Sequence, residues 1–204
     1  MVKVAVLVSG GGTNLQAILD AKAAGRIPSG ELSLVVSSKS GVHALERAAG
    51  AGIPHCVVRR ADYTDPRDFD KALLDVLRDH RIDFVVLAGF LCILGPDILA
   101  AYRDRIINVH PSLIPAFCGD GFYGLKVHQA ALDRGVKVTG ATVHLVNEIT
   151  DGGRILFQKA VDIREDDTAE TLQKRVMEEA EWQILPRALE LCCRELRDKR
   201  KEEA

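Results

Sequence analysis

Long hydrophobic runs are missing from the start of this 204-residue sequence: its first apolar stretch, Val4–Val8, stops after five residues in Ser9-Gly10-Gly11-Gly12. That is too short for a signal-peptide core, and a membrane span needs about 20 residues. The chain is therefore expected to be cytoplasmic, with no membrane contact. Cysteine is sparse and unpatterned: Cys56, Cys92, Cys118, Cys192 and Cys193 are odd in number and contain no C-x-x-C. A disulfide framework and a structural zinc site are both excluded on that count, and no metal is expected. The neighbouring Cys192 and Cys193 fall on a helical pattern, where adjacent side chains diverge, and read as core filler. Charge of one sign is lacking too. With 27 Lys+Arg against 29 Asp+Glu, the net charge is -2, which argues against a protein that grips a nucleic-acid backbone. It leaves open the capture of one phosphate by a few aimed donors. No repeat, low-complexity tract or linker stands out. Apolar residues at 47% and charged residues at 27% match a globular chain, expected to be one domain over 1–204.

What is present is an alternation of short apolar strands and amphipathic helices. Lys3–Val8, Leu32–Ser37, His55–Val58, Phe84–Leu87 and Ile106–His110 read as strands. Helical spacing marks Leu15–Ala24, His43–Ala49, Asp68–His80 and Pro96–Tyr102. The pattern predicts an α/β fold, a Rossmann-like, mostly parallel twisted sheet with helices on both faces. After residue 110 the rhythm changes. A helix at Val127–Arg134 precedes two β-rich runs, Lys137–Val146 and Arg154–Ile163, joined by Asp151-Gly152-Gly153. These predict a C-terminal antiparallel β extension. Thr168–Arg197 reads as a long helix interrupted by Pro186, with lone Trp182 packing it, and the charged tail from Arg197 to Ala204 is expected to fray.

Three segments carry candidate chemistry. The first is Ser9-Gly10-Gly11-Gly12-Thr13-Asn14, between a strand and a helix, where glycines let the backbone approach an anion and the helix N-terminus offers free N–H groups. It is neither a Walker motif nor a full G-x-G-x-x-G, because Leu15 takes the last place; a plain strand-to-helix turn is the alternative. The second is Asn108-Val109-His110-Pro111. Residues two apart on a strand face one side, so Asn108 and His110 project together where Pro111 ends the pairing. An amide and an imidazole there can donate to an oxygen that becomes negative, or serve as a turn residue and a surface histidine. The third is Asp151, either an ordinary turn residue or a carboxylate that raises the pKa of His110 and orients it. With strand order 3-2-1-4-5, the Gly loop, residues 88–94 and Asn108/His110 line one crevice. Of the other histidines, His55 and His80 sit at element ends, His43 and His144 read as structural, and His128 lies within reach of the crevice.

These residues resemble the glycinamide ribonucleotide formyltransferases, the folate-dependent family of purine synthesis. The likeness runs through Ser9–Ile18, Val85–Phe90, Asn108–Pro115, Gly140–His144 and Asp151–Gly153. It implies the formyltransferase fold, with a phosphate-binding half over 1–110 and a folate and catalytic half over 111–204. The implied activity is formyl transfer from 10-formyltetrahydrofolate, as co-substrate, to the amine of phosphoribosylglycinamide. By resemblance, Asn108, His110 and Asp151 are catalytic, and Gly12, Thr13, Asn14, Glu178 and Glu181 hold the ribonucleotide. The folate is implied to lie against Leu91, Cys92, Ile93, Leu94, Asn108, Asn147, Glu148, Ile149, Thr150 and Asp151, with Arg67 at its acidic end. A 10-formyltetrahydrofolate hydrolase or another superfamily formyltransferase is the alternative, as is a non-catalytic binding module. Hydrolases of that kind carry an added N-terminal domain and the tRNA enzyme an added C-terminal one, for which 204 residues leave no room. The implied partners are small molecules, with no nucleic acid, and the chain is expected as a monomer or homodimer. Three departures stand out: Cys92 where some members carry Arg, Trp182 in place of a frequent His, and a longer Gly-rich, aromatic stretch over 116–126. That stretch reads as a mobile lid or as an ordinary surface loop.

Overall fold

β-Branched and apolar side chains at Val2–Val8 (β1), Gly30–Ser37 (β2), His55–Val57 (β3), Phe84–Leu87 (β4) and Ile106–His110 (β5) give five parallel strands. They lie in a computed structural model that describes residues 1–203. Val138–Leu145 (β6) and Ile155–Asp162 (β7) extend the sheet antiparallel, giving the order β3-β2-β1-β4-β5-β6-β7. The order in which strands are added reverses at the parallel pair β1 and β4, and the crevice beyond their carboxyl ends is where such sheets bind ligands.

Alternation along β1 sorts the core into two layers. Val4, Val6 and Val8 face one side, with Leu15 and Ile18 of Thr13–Ala23 (α1), Ala44 and Ala48 of His43–Gly50 (α2), and the C-terminal helices. Ala5 and Leu7 face the other side, with Phe69, Leu73 and Leu77 of Pro66–Asp79 (α3) and Ile98 of Pro96–Ala101 (α4). Both layers are buried, as continuous apolar strands such as Phe84–Leu87 require. Pro66 and Pro96 each open their helices at the first turn, where a missing N–H costs nothing.

Two expectations for the C-terminal region need correction. Leu125–Arg134 (α5) is followed, after the hairpin, by Ala169–Val176 (α6) and Trp182–Glu202 (α7), and the helix runs on through Pro186. The interruption lies one turn earlier, as a π turn over Met177–Glu181. Pro186 lies within the first two turns of α7, buried beside Leu185 and Leu189. The tail from Arg197 is also helical to Glu202 rather than frayed. Arg197 donates to the Ser29 hydroxyl, and Arg200 reaches Asp83 at 2.6 Å; Ala204 lies outside the described residues. Cys192 and Cys193 are buried, and burial pushes both thiols up to about 12. Core filler is the role that fits them.

Candidate active site

The loop after β1 is built to leave donors free. Gly12 caps α1 at φ 73° with no side-chain cap, so the first-turn N–H groups of α1 stay available. A Cβ on Gly12 would stand 2.7 Å from the Ala44 Cβ, so glycine is required there twice over. The Ser9 hydroxyl accepts the Leu91 N–H at 2.9 Å and pairs with Ser38, tying the ends of β1, β2 and β4 together. Arg47 of α2 leans across the loop, donating to the Gly11 carbonyl at 2.9 Å and to Gln16. That cation was not singled out from the sequence; its place follows only from how α2 packs on the loop.

Asn14 and the C-terminal helices meet beside this loop. Asn14 Nδ2 donates to Glu181 Oε2 at 2.6 Å, while Thr13 Oγ1 approaches the Met177 sulfur. Glu181 is buried, and burial pushes its carboxyl up to about 7 against the opposing pull of the Asn14 amide. Gln173, Met177 and Glu181, spaced by four, form the stripe that faces the cavity. Glu178 is one residue around from that stripe; it is exposed, near Lys174, and does not line the cavity.

At the end of β5 the chemistry is denser. β5 and β6 pair antiparallel with Asn108 opposite His144, which puts both on one face. Asn108 Nδ2 is 3.3 Å from His144 Nε2. Asp151, at φ 53° in the β6–β7 connection, brings its carboxylate to 3.4 Å from both His110 Nδ1 and His144 Nε2. Burial opposes ionisation of Asp151, but His144, the Gly119 N–H and the two histidines' charge hold its pKa below the usual value. Asp151 pulls the His110 pKa up as expected, but the net shift is downward. Burial lowers it more than the Phe117 carbonyl and Asp151 raise it, so the resting imidazole is neutral near pH 7. His128 of α5 is also buried at the cavity wall, with both ring nitrogens lacking a partner among the described residues. Burial and His110 lower its pKa to about 4.

A cavity of about 680 Å³ joins these two clusters. Asn14 and Glu181 lie along it with Asn108, His110, His144 and Asp151; Leu91, Cys92, Ile93 and Leu94 and residues Asn147 to Thr150 form further walls. Leu91, Ile93 and Ile149 are 56%, 78% and 68% exposed, an apolar surface suited to a flat ring system. Gly12 and Thr13 adjoin the cavity without lining it, and Arg67, exposed in the first turn of α3, is outside its wall. Among the described residues no group of His, Cys, Asp and Glu has the arrangement of a metal site. No helix there is long and apolar enough to cross a membrane.

Against known proteins, residues 2–189 match the family pattern described as Formyl transferase. The chain is 43% identical over 192 residues to the trifunctional purine biosynthetic protein adenosine-3 of Gallus gallus, covering 93% of this chain and 18% of that protein. It is 44% identical over 179 residues to the chloroplastic phosphoribosylglycinamide formyltransferase of Arabidopsis thaliana, covering 87% and 61%. It therefore spans less than two thirds of either relative. The crystal structure of glycinamide ribonucleotide transformylase 1 from Symbiobacterium toebii superposes with a TM-score of 0.89 at 42% identity, covering 95% of this chain and 88% of that one.

Proposed function

The chain belongs to the formyl transferase family, and from that premise we propose that it moves the formyl group of 10-formyltetrahydrofolate to the amine of phosphoribosylglycinamide. The products are formylglycinamide ribonucleotide and tetrahydrofolate. The observation that carries this reading is one cavity that runs from Asn14, at the end of the Gly loop, to the cluster of Asn108, His110 and Asp151. A phosphate held near the first turn of α1 leaves the rest of a ribonucleotide to run past Asn14 and Glu181 toward Asn108 and His110. The exposed apolar surface of Leu91, Ile93 and Ile149 suits the pterin ring of the folate. Residues 1–204 act in this reading as one unit, its phosphate-holding half before residue 110 completed by Glu181 from the other half.

The chemistry follows from the protonation states. The glycinamide nitrogen forms a bond to the formyl carbon, and the carbonyl oxygen becomes an oxyanion. Asn108 donates to that oxygen; such a donor is worth about 3 kcal/mol of barrier. The neutral His110 imidazole takes the proton that the amine sheds, and the imidazolium so formed faces the oxyanion and Asp151. When the bond between formyl carbon and folate nitrogen breaks, His110 returns the proton to that nitrogen and ends neutral. Asp151, ionised throughout, stabilises the charged middle of this cycle. No covalent enzyme intermediate is required.

The test is tetrahydrofolate release from 10-formyltetrahydrofolate by purified protein, with and without phosphoribosylglycinamide. Release that depends on the ribonucleotide supports transfer. Equal release without it identifies a hydrolase instead.

A further inference from the structure

The stretch from Ala116 to Gly124, between Pro115 and α5, touches the His110–Asp151 pair with its backbone. The His110 Nε2–H donates to the Phe117 carbonyl at 2.9 Å. The Gly119 N–H donates to Asp151 Oδ2 at 2.9 Å, the same oxygen that lies 3.4 Å from His110 Nδ1. Both backbone groups are aimed by left-handed conformations, at φ 50° for Phe117 and 89° for Gly119. The segment is anchored on each side of these contacts. The buried Ser112 hydroxyl donates to the Ala116 carbonyl at 2.5 Å, and the Thr150 hydroxyl donates to Asp120 at 2.9 Å.

A backbone carbonyl only accepts, so it dictates where the imidazole keeps its proton. With the Phe117 carbonyl at Nε2, the neutral ring carries its hydrogen there and leaves Nδ1 bare toward Asp151. Without that carbonyl, Asp151 favours the opposite tautomer, with hydrogen on Nδ1 and the basic nitrogen turned into the loop. We propose that Phe117 and Gly119 are positioning residues: the Phe117 carbonyl selects the His110 tautomer, the Gly119 N–H orients Asp151, and Nδ1 is thereby the atom that exchanges the proton. The inference deepens the catalytic reading of His110 and Asp151 and rests on it. Proton balance is unchanged, since Nδ1 gains the amine proton and gives it to the folate nitrogen in each turnover. The titratable groups facing His110 are Asp151, His144 of β6 and His128 of α5; the Cys118 thiol turns to the Pro115 carbonyl instead.

Two measurements test it. In the wild-type protein, long-range 1H–15N NMR of labelled histidine is expected to find neutral His110 with its hydrogen on Nε2. Hydrogen on Nδ1 overturns the proposal without requiring any variant to fold. Phe117→Pro cannot hold φ near 50°, because proline is fixed near -65°, whereas Phe117→Gly can. The proline variant is expected to lose kcat by on the order of tenfold to a hundredfold, the scale of one hydrogen bond to a charging group. Its KM for folate should stay unchanged, and the acid limb of its pH profile should move to lower pH. The glycine variant should keep wild-type kcat and profile. A proline variant with wild-type kcat, or a glycine variant as impaired as the proline one, also overturns it. Loss of the catalytic reading itself is separate: that would appear as near-normal turnover in His110→Ala, whatever the tautomer.

Discussion

Replacing Glu181 by glutamine should make the protein more stable in neutral and alkaline solution while leaving its acid stability unchanged. Glu181 is 5% exposed, and among the described residues its only hydrogen-bond partner is the Asn14 amide. Burial raises its carboxyl from 4.5 to about 7. The folded state therefore binds a proton between these values that the unfolded state has released. Stability associated with this group is fully present below pH 4.5 and is lost as pH rises to about 7. A rise of this size corresponds to about 3 kcal/mol of cost carried by the ionised form. Glutamine is isosteric and neutral, and its carbonyl can accept from Asn14 Nδ2 in place of the carboxylate. Urea unfolding at pH 5, 6, 7 and 8 measures the difference. Glu181→Gln should match the wild type near pH 4.5 and exceed it by up to about 3 kcal/mol at pH 8. A pH-independent difference, or a variant less stable at pH 8, refutes the argument that desolvation of this carboxylate costs the fold.

His128 should act with the opposite sign. Its pKa is lowered to about 4, so its stabilising contribution holds above about pH 6.5 and is lost as pH falls toward 4; His128→Leu should unfold at lower pH than the wild type in acid titrations followed by circular dichroism. His110→Ala should lose on the order of a hundredfold or more in turnover while folate affinity, read by fluorescence or calorimetry, stays close to normal. Gly12→Ala meets both a left-handed φ and a contact of 2.7 Å with Ala44. It should cost about 1–3 kcal/mol in denaturant unfolding and weaken the ribonucleotide more than the folate in binding assays.

The strands of the parallel half were legible because burial on both faces writes them as unbroken apolar runs, as in Phe84–Leu87, and glycines punctuate them. Asn108 and His110 were legible because two-residue spacing on a strand needs no knowledge of its partners. His144 was not, because its role depends on register: only the pairing of β5 with β6 puts it opposite Asn108 and within reach of Asp151. The resemblance implied the same role for Glu178 and Glu181, yet one helical step separates an exposed carboxylate from a buried one. The π turn behind that geometry has no simple mark in the sequence, while Pro186, a conspicuous mark, leaves the helix intact. The sign of the His110 shift was likewise hidden. A neighbouring carboxylate is easy to infer, but the depth of burial that outweighs it emerges only when the hairpin and the 116–124 segment close over the ring.

The most direct measurement follows the formyl carbon itself. With 10-formyltetrahydrofolate labelled with 13C in the formyl group and phosphoribosylglycinamide present, 13C NMR should show the label arriving on the ribonucleotide amide in step with tetrahydrofolate formation. Label appearing as free formate, with the ribonucleotide unmodified, would contradict the account.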